Sequence, residues 1–378
     1  MKLSEAQTRK IHIDKQLKQV GWIKKYIKEE VNTVKSNFKD KDYVLQKSSS
    51  DNSGRFADYL LLAEDNSPLA IVEAKRFSAS RDKARAQART YQNDIYTQTK
   101  IRIPAFLTNG NNWLFIDQDG VERNVSGPFS QSDLKRRHES YRNRTSPSKI
   151  KISKKITDRL KSILITKQIV EHIEKGHRSA LISMATGTGK TRVAMSIINV
   201  LIRSNVIRNV LFVADRIALT DQAKSAGFKQ FFNEAVVDLR THPTSFPNGL
   251  YVTTIQTLKS GKGKKVYEKF SPGFFDLIIY DEAHRSIYDP NRLIHNYFDA
   301  IEIGLTATPA EGEDRNTFDL FNCKVGKPTA EYTYDEAIRD GILVPYLVEM
   351  IDTKVLSLGI EGSKLSKTLK THLLKQEE

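Results

Sequence analysis

Apolar positions near the start of the chain recur at helical spacing. Ile13, Leu17 and Val20 fall at i, i+4 and i+7, and Trp22, Ile23, Tyr26 and Ile27 continue the stripe. The pattern predicts helix through most of the first 45 residues. From Tyr43 the period changes: Tyr43-Val44-Leu45 runs into a polar stretch at 48–54, then the apolar run 56–62, a turn at 63–68 and a second run at 69–75. Two such runs about one turn predict a β-hairpin. Helical spacing returns over 80–98, and 103–116 predicts two short strands around Asn109-Gly110.

Residues 135–155 break the pattern, with nine Lys/Arg against one Glu and few apolar positions. This predicts an exposed basic linker between two domains. Beyond it, apolar runs at 180–183, 210–213, 250–254, 277–280 and 301–306 alternate with helical stretches such as 190–203. That alternation predicts a doubly wound parallel sheet.

A length of 378 residues suits two domains, possibly with part of a third. The single cysteine, Cys323, excludes an internal disulfide framework. No apolar signal core follows Met1, and no run approaches the roughly 20 residues a bilayer needs, so a cytoplasmic protein without membrane association is expected. The net charge of +15 points to a polyanionic partner. Because the 135–155 segment carries more than half of that excess, it is expected to ride on a nucleic-acid backbone.

Chemistry concentrates in two places. Met184-Ala185-Thr186-Gly187-Thr188-Gly189-Lys190-Thr191 joins a strand to a helix, where glycines let backbone N–H groups face a phosphate. Lys190 can reach the β- and γ-phosphates and Thr191 can offer its hydroxyl to Mg²⁺, although Met184 stands where the full spacing has a first glycine. The run 277–280 then delivers Asp281-Glu282-Ala283-His284 to a strand tip, with Asp281 suited to hold Mg²⁺ and Glu282 to polarise water.

These segments resemble a superfamily 2 helicase or translocase of the DEAH-box type over about 156–346. The resemblance places Thr186 to Thr191 in motif I, Asp281 to His284 in motif II, and Thr306 and Thr308 of Gly304-Leu305-Thr306-Ala307-Thr308-Pro309 in the coupling motif III. It implies nucleic-acid contacts at Arg216, Thr253 and Thr254, and an adenine-reading role for Gln168, before which Lys167 replaces the usual aromatic. Such motors close on ATP with a second RecA-like domain that supplies arginine fingers, and nothing after Pro345 resembles it. The 378-residue chain is therefore expected to bind ATP but hydrolyse it poorly.

The second place is the hairpin. Glu73 and Lys75, two apart on a strand, share a face, and Asp58 lies 15 positions earlier on the partner strand. Two carboxylates and a lysine suit Mg²⁺-assisted attack of water on phosphorus. The acidic-x-Lys pattern recurs at Asp133-Leu134-Lys135 and Asp352-Thr353-Lys354, but without a hairpin carrying another acid. Gln87 and Tyr91, at i and i+4, share one face of the next helix. Hairpin and helix resemble the PD-(D/E)xK nuclease core with its Q-x-x-x-Y extension, Ala57 standing where that pattern has Pro. Glu5 is a further acidic candidate.

A nuclease core followed by a DEAH motor resembles the restriction (R) subunit of type I restriction-modification enzymes. The resemblance rests also on Ile13-Asp14 with Gly21-Trp22, Leu107-Thr108-Asn109-Gly110 and Asp340-Gly341-Ile342-Leu343-Val344-Pro345. It implies an α/β chain: a mixed-sheet PD-(D/E)xK endonuclease domain at 1–134, the basic linker at 135–155, a RecA-like motor domain at 156–346, and at 347–378 the start of a connection to a second motor domain. It further implies ATP and Mg²⁺ as cofactors, double-stranded DNA as substrate, and methyltransferase and specificity subunits as partners. Two other readings are a repair or remodelling helicase whose N-terminal domain grips DNA without cutting, and a non-catalytic assembly module.

Overall fold

The computed structural model describes residues 9–45, 55–74, 81–232, 236–241, 249–285, 289–309, 311–312 and 315–346. Lys75, Glu5 and the expected connection at 347–378 lie outside the described residues.

The N-terminal unit is one six-stranded sheet in chain order: β1 (Ile27–Asn32), β2 (Phe56–Leu62), β3 (Pro68–Ala74), β4 (Ala105–Thr108), β5 (Trp113–Ile116) and β6 (Glu122–Val125). Neighbours are antiparallel except β3 and β4, whose parallel pairing is bridged by helix α2 (Arg81–Thr99). The hairpin and the 80–98 helix thus form where the periodicity places them. The early helical stripe does not persist. α1 (Asp14–Gln19) follows the short helical turn at 9–13, a single 3₁₀ turn stands at Lys24–Tyr26, and the chain from Ile27 becomes a strand, because β-branched Ile27 and Val31 pair with Leu61 and Ala57 of β2. α1 is stapled to the sheet: Gln16 donates to Gly110 O at 2.8 Å and accepts from Trp113 Nε1 at 2.5 Å, and Tyr59 Oη donates to Asp14 at 2.8 Å.

The second unit is a RecA-like doubly wound sheet of seven strands, every pair parallel. It comprises β7 (Ser179–Met184), β8 (Val210–Ala214), β9 (Val236–Asp238), β10 (Leu250–Thr254), β11 (Leu277–Asp281), β12 (Ile301–Thr306) and, after a two-strand ribbon of β13 (Glu311–Gly312) and β14 (Arg315–Asn316), β15 (Ala330–Tyr332). The spatial order is β15-β7-β12-β11-β8-β10-β9. The chain leaves β7, skips two places to β8 and later fills the gap with β11 and β12, so a crevice opens at the C-terminal strand ends where ligands bind in such sheets. β7, β8, β10, β11 and β12 are almost wholly buried, which is why they read as continuous apolar runs.

The segment between the units corrects one expectation. Helix α3 (Gln131–Asn143), started by a capping box in which Ser130 and Asp133 exchange hydrogen bonds, runs through the expected linker boundary. Arg136 is buried and binds Asp133 (2.8 Å), Asp276 (3.2 Å) and the carbonyls of Gly273 and Phe274. Arg137 binds Asp299 at 2.6 Å, Lys135 reaches Glu64 at 3.4 Å and Arg144 reaches Asp119 at 2.9 Å. Four of the nine cations of 135–155 thus face carboxylates of the protein, while Arg142, Lys149, Lys151, Lys154 and Lys155 are exposed. Asp299 gathers Arg123 of β6 (2.6 Å), Arg137 of α3 and Arg178 just before β7 (3.0 Å). Despite burial, the three guanidiniums hold the Asp299 carboxyl far below the usual carboxylate range. Phe129 closes the joint against Gly273, where an added Cβ would sit 2.5 Å from the ring.

Candidate functional sites

The phosphate-loop site stands on strand ends. β7 ends at Met184, and the loop 185–189 turns into helix α5 (Lys190–Arg203) through Gly187 and Gly189, at φ +84° and +102°. L side chains rarely adopt those angles, so the glycines permit the curl that turns backbone N–H groups inward. Thr188 Oγ1 closes the turn on Ala185 O at 2.6 Å, and Ala185 N–H is held by Tyr332 O at 3.0 Å. Lys190 Nζ lies 3.3 Å from Met184 O and 3.7 Å from Glu282 Oε1. Thr186 and Thr191 occupy the loop and the first helical turn as the motif requires.

β11 brings Asp281 and Glu282 to the same edge. Burial, and then the Glu282 charge, raise the Asp281 carboxyl to about 6 even though Lys190 opposes the shift. Glu282 sits at φ +53°, a left-handed conformation that is uncommon for a side-chain-bearing residue. His284 Nδ1 lies 2.9 Å from Thr306 Oγ1, which also accepts from Thr308 N–H at 3.1 Å. One hydroxyl therefore ties the tip of β11 to the end of β12, the link that motifs II and III imply.

Three expected contacts are not made as read. Gln168 donates to Thr329 O at 2.5 Å, whereas Arg159, nine residues earlier, donates to Thr188 O of the loop at 3.2 Å. Nine residues of helix α4 (Leu160–Glu174), at 1.5 Å each, put Gln168 about 13 Å along the axis from that contact. Around Arg159, Lys161, Tyr332, Glu336, Asp340 and Ile342 line an open pocket of about 510 Å³. Sequence reading missed these residues because they come from both ends of the unit. Thr253 is fully buried, and Thr254 N-caps helix α7 (Ile255–Lys259), accepting from Thr257 N–H at 3.2 Å. Neither offers a free hydroxyl to a nucleic acid. Arg216 does remain exposed, capping helix α6 (Ile217–Gln222) beside Asp215.

The hairpin site is formed by β2, β3 and α2. Asp58 stands one step beyond the Tyr59–Val72 pair and so faces Glu73 across the antiparallel ladder. Asp58 Oδ2 accepts from Ala74 N–H at 2.7 Å, and Asp58 N–H donates to Glu73 Oε2 at 3.5 Å. Glu73 is 1% exposed, and Leu60 and Ile71 of the same sheet face pack with Tyr91 of α2. Tyr91 Oη donates to Phe56 O at 2.8 Å and receives the Gln87 side-chain amide. Burial, followed by the Glu73 charge, pushes the phenol well above its usual value. Asp58, Glu73, Gln87 and Tyr91 are thus brought together, with Tyr91 acting as a clamp on β2 rather than an exposed group. Carboxylate oxygens of this kind suit a hard divalent cation. Among the described residues, no group of three or more His, Cys, Asp or Glu is assembled around a common point.

The fold and the loop define a helicase-like RecA domain. Residues 155–311 match the family described as Type III restriction enzyme, res subunit. More specifically, the chain is similar over most of its length to endonuclease subunits of type I restriction enzymes, the kinship that the motif order implies. It is 30% identical over 328 residues to the EcoAI endonuclease subunit of Escherichia coli, covering 82% of this chain and 39% of that protein. It is 26% identical over 341 residues to the SauCOLORF180P endonuclease subunit of Staphylococcus aureus strain COL, covering 80% and 36%. A fragment structure of an HsdR subunit from Vibrio vulnificus YJ016 aligns with 27% identity and a TM-score of 0.40, covering 90% of this chain and 61% of that one. The chain spans about two fifths of the length of these curated relatives.

Proposed function

We propose that this chain is the N-terminal part of a type I restriction R subunit that couples ATP-dependent translocation along double-stranded DNA to Mg²⁺-dependent endonucleolytic cleavage. The observation that carries this reading is the coexistence of two phosphate chemistries in one chain. A glycine loop with Lys190 faces Asp281 and Glu282, and a separate carboxylate pair, Asp58 and Glu73, is buttressed by Gln87 and Tyr91.

In the motor, residues 156–346, Thr186 to Thr191 bind the ATP phosphates and Asp281 with Thr191 holds its Mg²⁺. Glu282 orients water, and His284, Thr306 and Thr308 relay the state of the nucleotide. Arg216 contacts the DNA backbone. In the nuclease, residues 1–134, Asp58 and Glu73 hold a second Mg²⁺, which when bound polarises the scissile phosphate. Lys75, two positions on from Glu73, positions the attacking water. The protein works in the cytoplasm with methyltransferase and specificity subunits; among the described residues no helix is long and apolar enough to cross a membrane.

The test is a cleavage assay on the complex reconstituted from the full-length subunit and its partners, with and without ATP and Mg²⁺. Asp58→Ala and Lys75→Ala should each abolish cutting while ATP-driven translocation continues. Cleavage that survives both substitutions would leave a DNA-gripping, non-cutting domain as the correct reading.

A further inference from the structure

The stretch Ser260-Gly261-Lys262-Gly263-Lys264-Lys265 follows helix α7, which starts at the end of β10. Its backbone is built rather than slack. Val266 N–H donates to Ser260 O at 2.9 Å, Lys265 N–H donates to Glu268 Oε2 at 2.7 Å, and Val266 is buried in the core. Gly261, at φ +132°, passes so close to Lys264 O that an added Cβ would lie 2.4 Å from it. The closed loop leaves Lys262, Lys264 and Lys265 exposed, and no carboxylate within ion-pair distance faces any of their ammonium groups among the described residues. Lys135, Arg136 and Arg137 of α3 present the opposite case, since each has a carboxylate partner.

Position adds a second argument. α7 begins where β10 ends, β10 pairs with β8, and β8 leads directly to exposed Arg216. The helix that leads into the loop and Arg216 therefore both start from neighbouring strand ends, on the edge of the sheet that also carries the phosphate loop and the Asp281 tip. We infer that the 260–265 loop is a phosphate-gripping element that binds the backbone of duplex DNA beside the ATP site. The inference rests on the DNA-translocase reading above. Because lysine binds phosphate as a point charge, the grip is independent of base sequence.

The test measures binding of the 378-residue chain to a short fluorescent duplex between about 50 and 200 mM salt. The triple substitution Lys262→Gln, Lys264→Gln, Lys265→Gln should lower the log–log salt slope by about 2.7, three contacts at about 0.9 each. The matching triple Lys→Arg variant should keep the wild-type slope, and fluorescent-nucleotide binding should be unchanged in both. A wild-type chain that binds with a slope the Gln variant leaves alone would make the loop merely solvated, with the DNA reading intact. Equal losses in the Arg and Gln variants would trace the effect to loop shape and also overturn the inference. A wild-type chain that binds no duplex at any salt would refute the DNA reading itself.

Discussion

Asp299→Ala tests the logic of the joint between the two units. The carboxylate is 4% exposed and accepts from Arg123 at 2.6 and 3.0 Å, from Arg137 at 2.6 Å and from Arg178 at 3.0 Å. Removing it strands positive charge in a dry place, which costs about 3–5 kcal/mol for a buried pair. The lower end applies here. Arg123 keeps Asp117 at 2.8 Å, Arg137 keeps the Gly273 and Phe275 carbonyls, and Arg178 is 36% exposed and screened by water.

A loss of about 3 kcal/mol is therefore expected. Urea unfolding followed by tryptophan emission reports it cleanly, since the two tryptophans, Trp22 and Trp113, both sit in the N-terminal unit. The pH dependence has a definite sign. A carboxylate whose folded value lies below the unfolded value of about 3.9 stabilises above that pH, and its contribution fades as acid protonates it. The wild type should lose stability steeply below about pH 5, and Asp299→Ala should flatten that limb. Asp299→Asn should lose most of the same stability, because charge rather than shape is removed. A midpoint shift worth less than about 0.5 kcal/mol would refute the claim that the guanidiniums depend on this carboxylate.

Further outcomes follow from single contacts. Gly273→Ala drives a Cβ into Phe129, whose ring is already wedged between Phe106 and Phe115, and should cost about 1–3 kcal/mol in the same urea assay. Tyr91→Phe removes the bond to Phe56 O and should cost about 1 kcal/mol, with slower cleavage by the full-length complex. Lys190→Ala should weaken fluorescent ATP binding by at least about tenfold, and nucleotide affinity equal to wild type would remove Lys190 from the site.

Legibility in the sequence followed locality. The 56–74 hairpin, the α2 face with Gln87 and Tyr91, and the phosphate loop each lie within about 35 residues, so spacing alone exposed them. β6 escaped notice because Glu122-Arg123-Asn124-Val125 carries no apolar run. Its strand state comes from pairing with β5. β9 and β15 are three-residue edges given by their neighbours. Arg136 and Arg137 looked solvated because their partners Asp276 and Asp299 lie 140 and 162 positions away. The Gln168 contact was likewise hidden, because its partner Thr329 lies 161 positions away.

The two units meet at the strand starts of the motor sheet, since Arg178 and Asp299 precede β7 and β12, whereas nucleotide chemistry sits at the strand ends. The six residues of β12 separate these edges by about 20 Å. In the other sheet, Glu73, Leu107, Leu114 and Asn124 form one row, which sets the carboxylate pair three strand spacings, about 14 Å, from β6 and the joint. The carboxylate pair and the phosphate loop therefore stand on opposite sides of the joint, each removed from it. A joint kept clear of both sites can be loosened or tightened without disturbing the groups at either, so stability and site chemistry are separable by substitution in this chain.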